Sequence, residues 1–196
     1  MMRQKQLVEL NDSVLVVIDV QRPFVQKLPP DTQGEMVARI GWLVQVAVAL
    51  SVPLLVTAED IPNCGGVVPE VAACLPEETA VYNKLTFNLA DQPDILAAIV
   101  GMGRKTAVLV GLETDVCVAQ SALGLLAAGF NVAAVVDAVG SPGLGQEVGL
   151  GRMQAAGVAL LSAKSLYYEW IRTVPRDNAF KVAHLQHIPL PQSILL

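Results

Sequence analysis

The chain has 196 residues, which sets an expectation of a single domain over residues 1–196. Its formal charge of −5 argues against a nucleic-acid-binding protein, which carries a basic face. Charged residues make up 16% where an average soluble domain has about 25%, and hydrophobic residues make up 53%, so there is little charge to cover the outside and a homo-oligomer, a dimer or larger, is expected.

The most apolar stretch runs from Ile40 to Ala58 and is interrupted by Gln45, Ser51, Pro53 and Thr57. A membrane-spanning helix needs about 20 apolar residues, and Pro53 ends the helical run well short of that. A soluble helix followed by a strand is the reading, with no membrane partner. The first ten residues lack the apolar region of a signal peptide. The three cysteines, at 64, 74 and 117, are odd in number and unevenly spaced, which suits a reducing compartment and predicts a cytoplasmic protein.

In chain order, Val14–Asp19 is a β-branched run without alternation, as expected of a strand buried on both faces. Residues 20–33 read as a Pro-rich loop, 35–50 as a helix and 54–57 as a strand. Residues 59–79, with Pro62, Gly65, Gly66, Pro69 and Pro76, read as a long connection carrying a short helix. A short strand at 80–83 and a helix at 93–102 follow. The second half alternates more regularly: strand 107–110, helix 116–128, strand 132–137, helix 146–156, strand 158–161 and a helix from Ser165. Beyond Pro175 the chain reads as a loop-like tail, available to wrap a neighbour. The alternation predicts an α/β fold with a mostly parallel sheet covered by helices on both faces. Its core spans about 13–162, and the C-terminal helix and tail occupy 163–196.

Ligands of such sheets bind beyond the carboxyl ends of the strands. That directs attention to Asp19, to residues 57–60, to Lys84, to residues 113–117 and to Asp137. Cys117, in Gly111-Leu-Glu-Thr-Asp-Val-Cys117-Val, falls where a strand meets a helix. The helix start favours thiolate there, and a buried structural cysteine is the alternative. Thr114 and Asp115 are natural caps for the same helix. Asp19 ends an apolar run and is poorly placed for the core; as an alternative it caps a loop. Lys84 is a charge among apolar residues, or else a solvated loop lysine. Taken together they supply a nucleophile, a base for its proton and an ammonium beside the sulfur, which is the equipment for an acyl-enzyme.

Three motifs bring a family into view: Val-Ile-Asp19-Val-Gln-Arg-Pro-Phe24, Asn83-Lys84-Leu-Thr-Phe-Asn88 and Gly111-Leu-Glu-Thr-Asp-Val-Cys117-Val. With them, and over about Ser13 to Ser162, the chain resembles the isochorismatase-like cysteine hydrolases, a group that includes nicotinamidases and N-carbamoylsarcosine amidase. The resemblance implies a three-layer α/β sandwich around a six-stranded parallel sheet in the order 3-2-1-4-5-6. It also implies Asp19 as base, Lys84 as its charge partner, Cys117 as nucleophile, and a cis peptide between Leu112 and Glu113. The backbone N–H groups of Glu113 and Cys117 would form the oxyanion hole.

Nicotinamidases carry an Asp and two His after the second strand, where they bind a metal. Here residues 57–66 hold Glu59, Asp60 and Cys64 but no histidine, and His184 and His187 lie in the tail. No metal and no cofactor are therefore expected. Phe24, Phe87 and Asn88 could line a small substrate pocket, with core packing the alternative for the two aromatics. Trp42 reads as core. Gly143-Leu-Gly145 and Gly149-Leu-Gly151 do not complete a dinucleotide fingerprint. The expected activity is hydrolysis of a small amide C–N bond. The alternatives are a carbamoyl or ureido hydrolase with the same residues, or a non-catalytic thiol sensor or scaffold on the same fold.

Overall fold

The computed structural model describes residues 7–196. Six strands, β1 (Ser13–Ile18), β2 (Leu54–Glu59), β3 (Val81–Lys84), β4 (Thr106–Leu112), β5 (Asn131–Gly140) and β6 (Ala159–Leu161), form one sheet in the order 3-2-1-4-5-6. Every strand pairing in it is parallel. The long helices are α1 (Pro30–Ala49), α2 (Pro93–Gly101), α3 (Ala119–Ala127), α4 (Gly145–Ala155), α5 (Ala163–Ile171) and α6 (Val174–His184). The sheet topology and the helix layers are those expected.

The uniform burial of β1 follows from being covered twice. Leu15 and Val17 point to one face and pack with Trp42 of α1 and with Tyr167 and Trp170 of α5. Val14, Val16 and Ile18 point to the other, against Ile95 and Ile99 of α2 and Ala122 and Leu125 of α3. With side chains needed on both faces, a strand has no polar positions and loses the alternation of a half-exposed one. Trp42 is core, as expected.

Three segments differ from the sequence reading, residues 59–79 carrying two helical turns, Ile61–Cys64 and Pro69–Ala72, where one is read. Residues 20–33 are not all loop: a helical turn covers Arg22–Val25, and α1 starts at Pro30 rather than Glu35. Proline fits the first helical turn, where its missing N–H has no partner to lose and its φ is already set. The tail beyond Pro175 is helical as far as His184 for the same reason, Pro175 lying in the first turn of α6. That helix docks on its own core through Phe180, whose ring lies 5.6 Å from Tyr167, and through Asp177, which accepts the Tyr167 hydroxyl at 2.7 Å.

The glycines set aside as a dinucleotide motif have a packing role. A Cβ on Gly149 would stand 2.7 Å from the Asp115 nitrogen, and one on Gly145 would stand 2.8 Å from the Asp115 carboxylate. Their bareness lets α4 lie directly against the turn that carries Cys117. Ser141 and Gln146 complete that contact, Ser141 donating to Asp115 at 2.6 Å and Gln146 accepting from Thr114 at 2.7 Å.

Candidate active site

Order reversal in the sheet makes β1 and β4 neighbours, and the chain leaves them in opposite directions. Asp19 sits one residue past β1 in a left-handed conformation, with φ of 50°. Lys84 ends β3, and Glu59 ends β2 in register with it. Cys117 lies in a π-helical turn, Thr114–Val118, that joins β4 to α3, and the Leu112–Glu113 peptide before that turn is cis.

The structure brings Asp19, Lys84 and Cys117 together. The Lys84 ammonium lies 2.9 Å from Asp19 Oδ2, 3.6 Å from Cys117 Sγ and 3.6 Å from Glu59 Oε2, and donates to the Thr86 carbonyl at 2.7 Å. Thr57 donates to Asp19 Oδ1 at 2.8 Å. Asp19 and Lys84 are fully buried. The Cys117 thiol donates to Glu59 Oε2 at 3.2 Å.

Charges in so small and dry a space move each other. Burial pushes the Asp19 carboxyl up, against the pull of Lys84. Lys84 also loses solvation, but the anionic groups around it, Asp19 first, outweigh that loss and keep the ammonium charged. The Cys117 thiol is pushed far up, by burial first and then by the Asp19 charge, with Glu59 adding to both and Lys84 opposing. The helix start and Lys84 were expected to favour thiolate. Desolvation and the two carboxylates outweigh the ammonium and move the thiol the other way.

Alkylation checks this directly. In the substrate-free protein, Cys117 should react slowly with iodoacetamide at neutral pH, its rate climbing only above the free-thiol value of about 8.5. The unfolded chain in urea should follow the free thiol. Peptide mapping separates Cys117 from Cys64 and Cys74, and a Cys117 rate already flat below pH 7 would contradict the raised thiol.

A cavity of about 230 Å³ opens onto the sulfur, lined by Phe24, Lys27, Glu59, Phe87, Leu112, Glu113, Val116 and Cys117. Phe24 and Phe87 are in its wall. Asn88 is not: its side chain lies on α3, where a Cβ on Gly124 would meet it at 2.2 Å, and its Oδ1 accepts the Ala90 N–H at 3.0 Å. Close packing of the loop on a bare glycine turns Asn88 inward. Asp137 is also elsewhere, accepting the Ala163 N–H at the start of α5. A larger hollow of about 610 Å³ between α1 and β5 does not contain the thiol.

Two wall residues escaped the sequence reading. Lys27 lies in the segment taken for loop; it pairs with Glu113 at 2.7 Å and stands 4.8 Å from the Phe24 ring centre. Glu59 falls within residues 57–60, a strand end that draws attention in the sequence, but no role in the site follows from the sequence for it. Among the described residues, Asp19, Glu59 and Cys117 offer three donor atoms within 4.8 Å of one another. The cation they surround is the Lys84 ammonium. His184 lies against Phe180 in α6, with ring centres 4.7 Å apart.

A profile described as the isochorismatase domain matches residues 13–165. The chain belongs to the isochorismatase family. Isochorismatase domain-containing protein 2A of Mus musculus is 29% identical over 189 residues, 94% of this chain and 87% of that one. Probable hydrolase YcaC of Escherichia coli is 31% identical over 136 residues, 67% of this chain and 64% of its own. The solved structure of E. coli YcaC, described as an octameric hydrolase of unknown specificity, superposes with a TM-score of 0.83 at 24% identity, covering 96% of this chain and 93% of that one. YcaC from Pseudomonas aeruginosa, solved with covalent acrylamide, gives 0.81 at 26% identity and covers 94% of each chain. Membership of this hydrolase family makes the chain an isochorismatase-like hydrolase. No described helix is long and apolar enough to cross a membrane.

Proposed function

We propose that the protein hydrolyses a small amide C–N bond through an acyl-enzyme on Cys117. The observation that carries the reading is the Cys117 thiol at the floor of a small cavity, 3.6 Å from a buried ammonium that is itself paired with Asp19 at 2.9 Å. Asp19 is the base for the thiol proton and gives it to the leaving nitrogen. Lys84 stabilises the negative charge that the transfer leaves on sulfur. The N–H groups of Glu113 and Cys117, two residues of the cavity wall, hold the oxyanion of the tetrahedral adduct. Water then releases the acid.

A cavity of about 230 Å³ fits a small molecule and is lined by more apolar than charged groups. The same residues would serve a carbamoyl or ureido substrate. A redox sensor reacts once with oxidant and stops, so repeated turnover that needs Cys117 separates the hydrolase from the sensor. Assembly into a homo-oligomer fits the low charge content and the octamer described for E. coli YcaC.

The test is ammonia release from a panel of small primary amides and ureido compounds. Wild-type protein is expected to turn over at least one of them, and Cys117→Ala to lose on the order of 10³-fold or more of that rate. Equal rates in the two proteins would end the reading.

A further inference from the structure

The cluster contains a second carboxylate for which the roles above have no use. Glu59 Oε2 accepts the Cys117 thiol at 3.2 Å and lies 3.6 Å from the Lys84 ammonium. Its side chain is 21% exposed and forms part of the cavity wall, whereas Asp19 is fully buried and is not in that wall. Asp19 lies near the sulfur on the buried side, one oxygen taking the Thr57 hydroxyl and the other facing Lys84. A water entering the cavity to attack an acylated sulfur therefore meets Glu59 and not Asp19. Glu113, the other acidic residue in the wall, is tied to Lys27 at 2.7 Å.

Glu59 is held with unusual care for a residue at a strand end. The side chain of Gln21, itself fully buried, donates to the Glu59 carbonyl at 2.8 Å and accepts the Glu59 N–H at 2.7 Å. The same amide nitrogen also donates to the Gly65 carbonyl at 2.7 Å. On the far side, the Asp60 N–H donates to the Lys84 carbonyl at 3.0 Å, fastening the next residue to β3. The backbone that carries the carboxylate is thus fixed on both sides, and the carboxylate itself meets Cys117 and Lys84, an arrangement preorganised for proton transfer.

We infer that Glu59 is the general base of deacylation, with Gln21 as the residue that positions it. The inference rests on the Cys117 acyl-enzyme proposed above. In this step a water oxygen bonds to the thioester carbonyl carbon while its proton passes to Glu59. The tetrahedral adduct then collapses, the C–S bond breaks, and the sulfur takes the proton back from Glu59 as the carboxylic acid departs. The step returns the site to the thiol-to-Glu59 hydrogen bond seen at rest.

The experiment uses p-nitrophenyl acetate, whose leaving group needs no proton, so that formation and breakdown of the acetyl-enzyme can be timed separately. In wild-type protein a burst of p-nitrophenolate should precede a slower steady rate. In Glu59→Gln the burst should persist while the steady rate falls roughly 100-fold, the size of a lost general base. Intact mass should then show acetyl accumulating on Cys117. Gln21→Ala should lower the steady rate in the same direction by a smaller factor, and Glu59→Asp should recover part of it. A merely structural Glu59 would slow burst and steady phases together, and that result overturns the inference while leaving the acyl-enzyme intact. A wild-type steady rate no faster than that of Glu59→Gln overturns it too. Ester hydrolysis unchanged in Cys117→Ala, with no acetyl on Cys117 in wild type or in Glu59→Gln, removes the acyl-enzyme reading itself, and the inference with it.

Discussion

Replacing Lys84 with methionine is expected to cost about 3–5 kcal/mol of folding stability, the usual penalty for leaving one partner of a buried ion pair alone. Lys84 is among the largest fully buried side chains, and methionine preserves most of its apolar stem, so the loss reports the charge and not the packing. What remains is Asp19, fully buried and 2.9 Å from where the ammonium was. Glu59, 3.6 Å from the same ammonium, keeps contact with solvent, so relief comes mainly by protonating Asp19. Burial already pushes its pKa up, so the Lys84→Met deficit should shrink as the pH is lowered. Paired substitution with Asp19→Asn should recover part of the loss at neutral pH, because it removes the orphaned charge. Urea unfolding of the single and double variants at two pH values measures all of this. A loss below about 1 kcal/mol would mean the pair is no more than a surface salt bridge in its effect.

Gly111→Ala is expected to prevent folding altogether. Gly111 has φ of +123° and pairs with Ile18 where β1 and β4 run side by side. A Cβ there would stand 1.9 Å from the Ile18 carbonyl oxygen, which belongs to backbone that cannot turn away. The two strands would have to separate at the end where Asp19 and the Cys117 turn leave the sheet. Strain at a glycine-only conformation and overpacking in a closed core act at the same atom, so the cost should exceed about 4 kcal/mol. Expression in the insoluble fraction, or loss of the cooperative unfolding transition, is the expected observation. A soluble Gly111→Ala protein of near wild-type stability would show that β1 and β4 do not approach as closely as described.

Both effects act at the carboxyl ends of β1 and β4, and β1 is also where the sequence was most readable. Runs such as Val14-Leu-Val-Val-Ile carry no polar residue because both faces are covered, and an acid following such a run stands out. Asp19, Lys84 and Cys117 could be found for this reason: each is a reactive group set in an apolar context beside a strand end. The start of α1 was misplaced because a proline reads as a breaker unless its position in the first turn is known, and the same ambiguity hid α6 behind Pro175. Glu59 follows the run Leu54-Leu-Val-Thr-Ala58 much as Asp19 follows its own, and Lys27 lies between Val25-Gln26 and Leu28, but neither belongs to a motif. Only the pairing of β2 with β3, and the fold of the segment after β1, places them against the sulfur. Asn88 shows the reverse error, a polar residue near the motif lysine whose side chain is taken up by packing on Gly124. The direction of the thiol's shift was not legible because a helix start and one lysine are visible in the sequence, while burial and a second carboxylate are properties of the assembled site.

The central claim is that Cys117 is the nucleophile of a hydrolase. Intact-mass analysis during turnover of a small amide or ureido compound, quenched in acid and followed by peptide mapping, tests it most directly. An acyl adduct confined to Cys117, absent from Cys117→Ala and disappearing as substrate is consumed, is the predicted result. Product formation that continues in Cys117→Ala would contradict it.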